Sequence, residues 1–209
     1  MTIGFYERNA EDYFRTTVGI DMAVPRERFA SLLSPGARVL DAGCGSGRDA
    51  RVFHELGFQV TAFDASPRLA ALAREHTGLP VEVKTFQEVT WCEAFEGIWA
   101  SASLLHVPRA ELPSIMRRLR EALVPGGVWH MSFKYGAGER EVEGRLFTDL
   151  DERAAEALVA DVSGLEVVWM GEEPSRKPHM PDERWLVLLC RRLADSQCHS
   201  PRALRPRAR

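Results

Sequence analysis

The chain has 209 residues, 45% of them hydrophobic and 27% charged, which excludes collagen-like, disordered and disulfide-scaffold classes and suits one compact unit with additions. The formal charge of -3 hides a division: residues 196–209 carry Arg202, Arg205, Arg207 and Arg209 and no acid, leaving 23 basic against 30 acidic residues elsewhere, or -7. An acidic body argues against nucleic acid as a partner, because phosphate affinity rests on clustered Lys and Arg. The sequence has no run of the roughly 18 apolar residues that a membrane span needs. Its first residues, MTIGFYERNAEDYF, lack the basic and then apolar runs of a signal peptide, so no membrane partner and a cytoplasmic location are expected. The four cysteines, Cys44, Cys92, Cys190 and Cys198, form no CxxC pair, so reduced thiols and no metal site are expected.

Two helices with aromatic and aliphatic faces are predicted over residues 5–17 and 25–33, and residues 1–34 are expected to form a helical lid. The apolar run from Ala37 to Leu40 predicts a first strand, ending at Asp41 and a glycine cluster, with a helix from Arg48 to Leu56 stopped by Gly57. Phe58 to Phe63 predicts a second strand, and Ser66-Pro67 caps a helix running to about His76. Short strands follow at Pro80–Lys84 and Glu96–Ser101. Pro108 opens an amphipathic helix that ends at a turn, Leu123-Val124-Pro125-Gly126-Gly127, before a fifth strand from Val128 to Phe133. After a glycine-rich loop, Thr148 and Asp151 read as a capping box for a helix to about Val162. Two last strands, Leu165–Met170 and Trp185–Cys190, joined by a polar loop over residues 171–184, should pair antiparallel. The alternation predicts a single-domain α/β fold: a Rossmann-like seven-stranded sheet, mostly parallel with a C-terminal antiparallel strand, helices on both faces, over residues 35–192. Residues 193–209 are expected to be a disordered basic tail.

The chemistry concentrates between strand one and its helix, where Gly43, Gly45 and Gly47 alternate with Cys44 and Ser46. Glycines there take positive φ and leave main-chain groups open to a small ligand at the carboxyl edge of a sheet. Twenty-three residues after Asp41, Asp64 ends the second strand, where a carboxylate can accept both hydroxyl protons of an adenosine ribose. Residues 45–50 also satisfy the looser GxGxxA pattern of dinucleotide sites. The two readings predict opposite charge: Asp41 at the strand tip would repel a pyrophosphate and attract a ligand carrying an ammonium and a sulfonium. S-adenosylmethionine fits this better than NAD.

With these residues in view, the chain resembles class I S-adenosylmethionine-dependent methyltransferases, and is similar to the small bacterial tellurite-resistance-type group, over about residues 5–192. The resemblance implies S-adenosyl-L-methionine as cofactor and S-adenosyl-L-homocysteine as product. It assigns the nucleotide-binding motif to Asp41 through Gly47, the ribose acid to Asp64 with Ala65 beside it, the adenine border to Phe86 and Gln87, and the segment after strand four to Ala100–His106, Ser101 included. Tyr6, Tyr13 and Thr16 would belong to a lid over the cofactor.

Methyl transfer from a sulfonium is an in-line displacement with an activated leaving group, so the protein mainly aligns donor and acceptor and excludes water; a base is needed only if the acceptor must lose a proton. His106, at the mouth of strand four, is the candidate base, against a packing role. Lys134 and Tyr135, leaving strand five, are candidates for binding an anionic or aromatic acceptor, and Arg145, Arg184 and Trp185 for a second anion-recognising cluster. Arg48 and Asp49 could touch the methionine end of the cofactor or serve helix-end electrostatics. The expected activity is methyl transfer to a small-molecule acceptor by a monomer or homodimer. Alternatives are an RNA nucleoside methyltransferase, a non-catalytic cofactor-binding module and, third, an NAD-dependent oxidoreductase.

Overall fold

The computed structural model describes residues 2–177 and 180–194. The predicted tail therefore lies outside the described residues, apart from Leu193 and Ala194. Helices α1 (Thr2–Arg8), α2 (Ala10–Thr17) and α3 (Ala23–Ala30) precede strand β1 (Arg38–Ala42), so the first predicted helix is divided at Asn9. Then come α4 (Arg48–Glu55), β2 (Gln59–Asp64), α5 (Pro67–Thr77), β3 (Val81–Val83), β4 (Phe95–Ala100), α6 (Leu112–Ala122) and β5 (Leu123–Lys134). A hairpin, β6 (Gly138–Val142) and β7 (Arg145–Asp149), leads to α7 (Glu152–Val162), β8 (Leu165–Pro174) and β9 (Arg184–Arg192).

Seven strands form one sheet in the order β3-β2-β1-β4-β5-β9-β8. β3, β2, β1, β4 and β5 run parallel, while β9 is antiparallel to both neighbours. β1 and β4 are buried almost throughout, as strands covered on both faces must be, which is why they read as continuous apolar runs. On one face α6 and α7 pack through Ile115, Met116, Leu119 and Val159 onto Ile98, Trp129 and Met131. On the other, Phe29, Phe53 and Trp99 meet with ring centroids 5.3–5.5 Å apart.

Local signals set the helix ends. Ser66 Oγ accepts from Leu69 N at 3.2 Å, Pro67 stands at the first helical position, and Gly78 closes α5 at φ 71°. α7 is capped by Asp151 alone, whose Oδ1 accepts from Ala154 N at 2.8 Å. Thr148 is not part of a capping box: it lies in β7, and its hydroxyl donates to Val107 O at 2.8 Å. The turn expected at Leu123–Gly127 is absorbed into β5 as a bulge, with Phe95 opposite Leu123 and Gly97 opposite Val128. Pro108 precedes the helix it was expected to open, in a turn that ends before Leu112.

Chain order reverses between β1 and β4, since β2 and β3 lie to one side of β1 and β5 to the other of β4. The carboxyl ends of adjacent strands diverge at such a switch point and leave a crevice.

Candidate active site

Asp41 sits near the end of β1, 3% exposed, and its Oδ2 has no hydrogen-bond partner among the described residues. Burial, then the negative charge of Asp49, push its carboxyl well above the usual range. The loop after it is held to β2 by two amides, Gly43 N and Cys44 N, which both donate to Phe63 O. Gly43 has φ 78°, and a Cβ there would lie 2.6 Å from Ser103 Cβ. Gly45 has φ 55° and lies under the ring of Tyr13, whose Cε1 would be 3.1 Å from an added Cβ. Gly47 caps α4 at φ 74°, against Ala73 and Thr77 of α5. Each of these glycines has a dihedral angle that favours glycine, and at Gly43 and Gly47 an added Cβ would also meet a neighbour closer than 3.0 Å.

Asp64 ends β2 beside this loop. Its Oδ2 accepts from Gly45 N and its Oδ1 from Ser66 N, both at 2.9 Å. Burial raises its pKa, opposed by the amides of Ser66, Gly45 and Ala65.

Two cavities open on either side of the loop. One, about 1010 Å³ with its mouth, is bordered by Tyr6, Asp64, Ala65, Phe86, Gln87 and His106. The other, about 910 Å³, is bordered by Asp41, Cys44, Ser101, His130, Lys177 and Trp185. Gly43, Gly45, Tyr13 and Ala102 line both, so the cavities meet over the glycine loop. Phe86 is fixed edge-on against Phe63 at 5.5 Å, while the Gln87 amide donates to Glu111 Oε2 at 2.9 Å. The Cys44 thiol is pushed well up by burial and by the carboxylates of Asp41 and Asp64, which leaves it a packing group.

Some sequence-derived candidates lie elsewhere. Thr16 is on the exposed side of α2, its hydroxyl donating to Asp12 O and Tyr13 O, and it is the next residue, Thr17, that borders a cavity. Lys134, Tyr135, Arg145 and Arg184 border neither cavity. Lys134 is ion-paired with Glu183, Tyr135 donates to Glu152 Oε2 at 2.9 Å, and Arg184 pairs with Glu172 at 2.5 Å. Arg145 pairs with Glu143 at 2.8 Å and lies 4.2 Å over the Phe5 ring. The acceptor role read for these four meets side chains already engaged by other partners.

His106 has both ring nitrogens engaged, Nε2 with Tyr6 OH and Nδ1 with Leu146 O, each at 2.7 Å. A carbonyl only accepts, so Nδ1 carries the proton and Nε2 accepts from the Tyr6 hydroxyl. Burial, with Arg145 and Lys134 adding, holds its pKa down at about 4. This pattern opposes the general-base role, because no lone pair is free for an acceptor's proton.

Asp49, read from the sequence with Arg48 as a cofactor contact or a helix-end charge, is bound within a polar network. Asp49, 5% exposed, accepts from Arg26 at 2.8 Å, from Arg48 at 2.6 Å and from Trp99 Nε1 at 3.0 Å. Burial pushes its carboxyl upward, but Arg48 and Arg26 outweigh burial and hold it below the usual range. His130 stacks on Trp99 at 3.7 Å with no partner for Nε2 among the described residues, and burial holds it neutral, down at about 3. Among the described residues no group of three or more His, Cys, Asp and Glu is placed to hold a metal ion.

Residues 39–127 match the methyltransferase domain family. Over that segment the chain is similar to methyltransferase domains. The matched segment runs from β1 to the bulge of β5 and contains both Asp41 and Asp64. A ubiquinone biosynthesis O-methyltransferase of Xanthomonas campestris pv. campestris is 36% identical over 111 residues, 49% of this chain and 45% of the relative. The chain thus covers less than half the length of the curated relatives it matches. Among solved structures, the 1,6-didemethyltoxoflavin-N1-methyltransferase of Burkholderia thailandensis, with bound S-adenosylhomocysteine, superposes with TM-score 0.74 at 24% identity, over 91% of this chain and 85% of that one. A TehB-like S-adenosylmethionine-dependent methyltransferase from Corynebacterium glutamicum gives 0.69 at 19% identity, over 90% and 99%. At those identities the methyltransferase neighbours speak for the fold.

Proposed function

We propose that the protein transfers a methyl group from S-adenosylmethionine to a small-molecule acceptor. The observation that carries this reading is the pair of cavities meeting over Gly43 and Gly45, one with a carboxylate at its nucleoside end and the other with an unpartnered buried carboxyl at the loop. The cofactor fits the residues present. At Gly43 an added Cβ would run into Ser103, so the loop packs directly against the segment after β4 while lining both cavities. Asp41, held neutral-leaning by burial, gains its charge favourably when a cation is placed beside Oδ2.

When bound, S-adenosylmethionine supplies a methyl group on a positively charged sulfur that departs as a neutral thioether. The chain's own residues would divide the remaining work. Asp64 would hold the ribose hydroxyls, since each of its oxygens has a lone pair left after the backbone bonds. Phe86 would lie against adenine, with Ala65 and Gln87 at its border. Asp41 would hold the ammonium, and Ser101 and Ala102 would border the passage to the acceptor. Tyr13, shared by both cavities, would exclude water from that passage, with α1 and α2 acting as a lid. Alignment of this kind can contribute about 7–11 kcal/mol to the rate without an acid or base.

Thermal melting with S-adenosylhomocysteine, NAD or buffer tests the assignment. At about a hundred times its dissociation constant, S-adenosylhomocysteine should stabilise by roughly 2.7 kcal/mol, a shift of about 5–11 °C for a domain of this size. A shift with NAD and none with S-adenosylhomocysteine would overturn the reading.

A further inference from the structure

The cavity that begins at Asp41 runs outward to Glu173, Arg176, Lys177 and Trp185, at the facing ends of β8 and β9 and in the loop between them. At this outer end the nearby carboxylates are already engaged by other cations. Asp49 serves Arg26 and Arg48, and Glu173 serves Arg28 and Arg176. Glu183 is taken by Lys134, and its second oxygen accepts from Trp185 Nε1 at 3.0 Å. Lys177 lines the cavity, and among the described residues no carboxylate lies within ion-pair distance of it. Among the charged side chains that line the cavity, Asp49 and Arg48, and Glu173 and Arg176, are ion-paired, and Lys177 is the cation without such a pair among the described residues. Lys177 is also partly buried, and burial, with Lys134, Arg145 and Arg48 adding to it against Glu183, lowers its pKa. A half-desolvated ammonium without a partner is costly, and an anion delivered to it offsets that cost.

The methyl donor does not supply that anion in net terms, since its ammonium and sulfonium outnumber its one carboxylate. The same cavity also has apolar lining. Trp185, its ring pinned through Nε1 to Glu183, is joined by Met22, Ile20 and Pro174. We propose that the methyl acceptor is a small planar anion, its negative group held by Lys177 and its ring lying against Trp185. This rests on the methyltransferase reading above and adds the acceptor's charge to it.

The test uses the full chain saturated with S-adenosylhomocysteine and titrated calorimetrically with 4-hydroxybenzoate and 4-hydroxybenzamide, probes of one shape that differ by a charge. The carboxylate should bind at least tenfold more tightly than the amide. Lys177→Met should erase that preference, Lys177→Arg should keep most of it, and both variants should retain the melting shift with S-adenosylhomocysteine. Equal affinities, absence of measurable carboxylate binding, or a preference that survives in Lys177→Met overturns the proposal. So does loss of S-adenosylhomocysteine binding in Lys177→Met, which would give the lysine to the donor instead. Failure of S-adenosylhomocysteine to bind the unmodified chain would strike the methyltransferase reading itself.

Discussion

Asp64 is held so that its chemistry is hard to imitate. Both oxygens accept from backbone amides, Gly45 N on one side and Ser66 N on the other, so an asparagine there must turn its NH2 group against an N–H donor. Asp64→Asn is expected to cost about 1–3 kcal/mol of stability from the unpaired amide. It should also lower S-adenosylhomocysteine affinity at least tenfold, because one ribose hydroxyl loses its acceptor. Melting curves and calorimetric titration read the two effects separately; unchanged affinity in a folded variant would remove Asp64 from the ribose. The position of Asp64 was legible in the sequence, and so was the glycine loop, because both depend on local backbone: a strand end, a positive φ, a fixed spacing. Thr16 was misplaced for an equally local reason. On a helix one residue is a rotation of about 100°, and without knowing what α2 covers, Thr16 and Thr17 are equivalent choices. Lys134, Tyr135 and Arg184 could not be judged at all, since Glu183, Glu152 and Glu172 reach them through pairings that only the folded sheet creates.

At the level of elements, the β6–β7 hairpin is the addition that periodicity did not reveal. Every residue of β6 is exposed, so the strand has no apolar alternation to find, and its turn is Glu143-Gly144, both at positive φ, instead of the stronger Asn-Gly signal. The hairpin nonetheless fastens α1 over the cavity bordered by Asp64 and Phe86. Leu146 N donates to Thr2 Oγ1 at 3.0 Å, Leu146 O takes the proton of His106 Nδ1, and His106 Nε2 receives the Tyr6 hydroxyl. Arg145 over Phe5 reinforces the same contact. On the proposed reading His106 would be a positioning residue that acts through Tyr6. If α1 is the lid, Tyr6→Phe removes one hydrogen bond from the latch, worth about 1 kcal/mol, and should speed S-adenosylhomocysteine release about fivefold while leaving the melting temperature of the free protein within a few degrees. Stopped-flow displacement measures that rate. A rate equal to that of the unmodified protein would mean that α1 stays in place during exchange, and the lid would have to be sought in α2.

For the molecule as a whole, the parallel order and the antiparallel β9 followed from the alternation of apolar runs with amphipathic stretches, because strands buried on both faces and helices covering them impose that pattern on any sequence. What the pattern did not convey is the polar network beneath the sheet's carboxyl edge, and its most testable consequence concerns acid. His130 is 2% exposed, stacked on Trp99 and held down at about 3, against an ordinary value near 6.5. Between those values the unfolded chain binds a proton that the folded one refuses, so this histidine's contribution to stability rises with pH and is lost on acidification. From pH 7 to pH 5 the loss is about 2 kcal/mol, nearly independent of how far below 5 the folded value lies. Asp41 and Asp64 oppose it, since their folded values are raised and they favour the folded state as pH falls. The net slope of the unmodified protein therefore mixes several groups, and the informative quantity is a difference. His130→Gln should cost stability at pH 7 through lost stacking, yet the gap between variant and unmodified protein should narrow by about 2 kcal/mol at pH 5, read from urea unfolding at both values. A gap of constant width would show that His130 takes up its proton within the fold, through an opening of the cavity floor that lets water reach the ring.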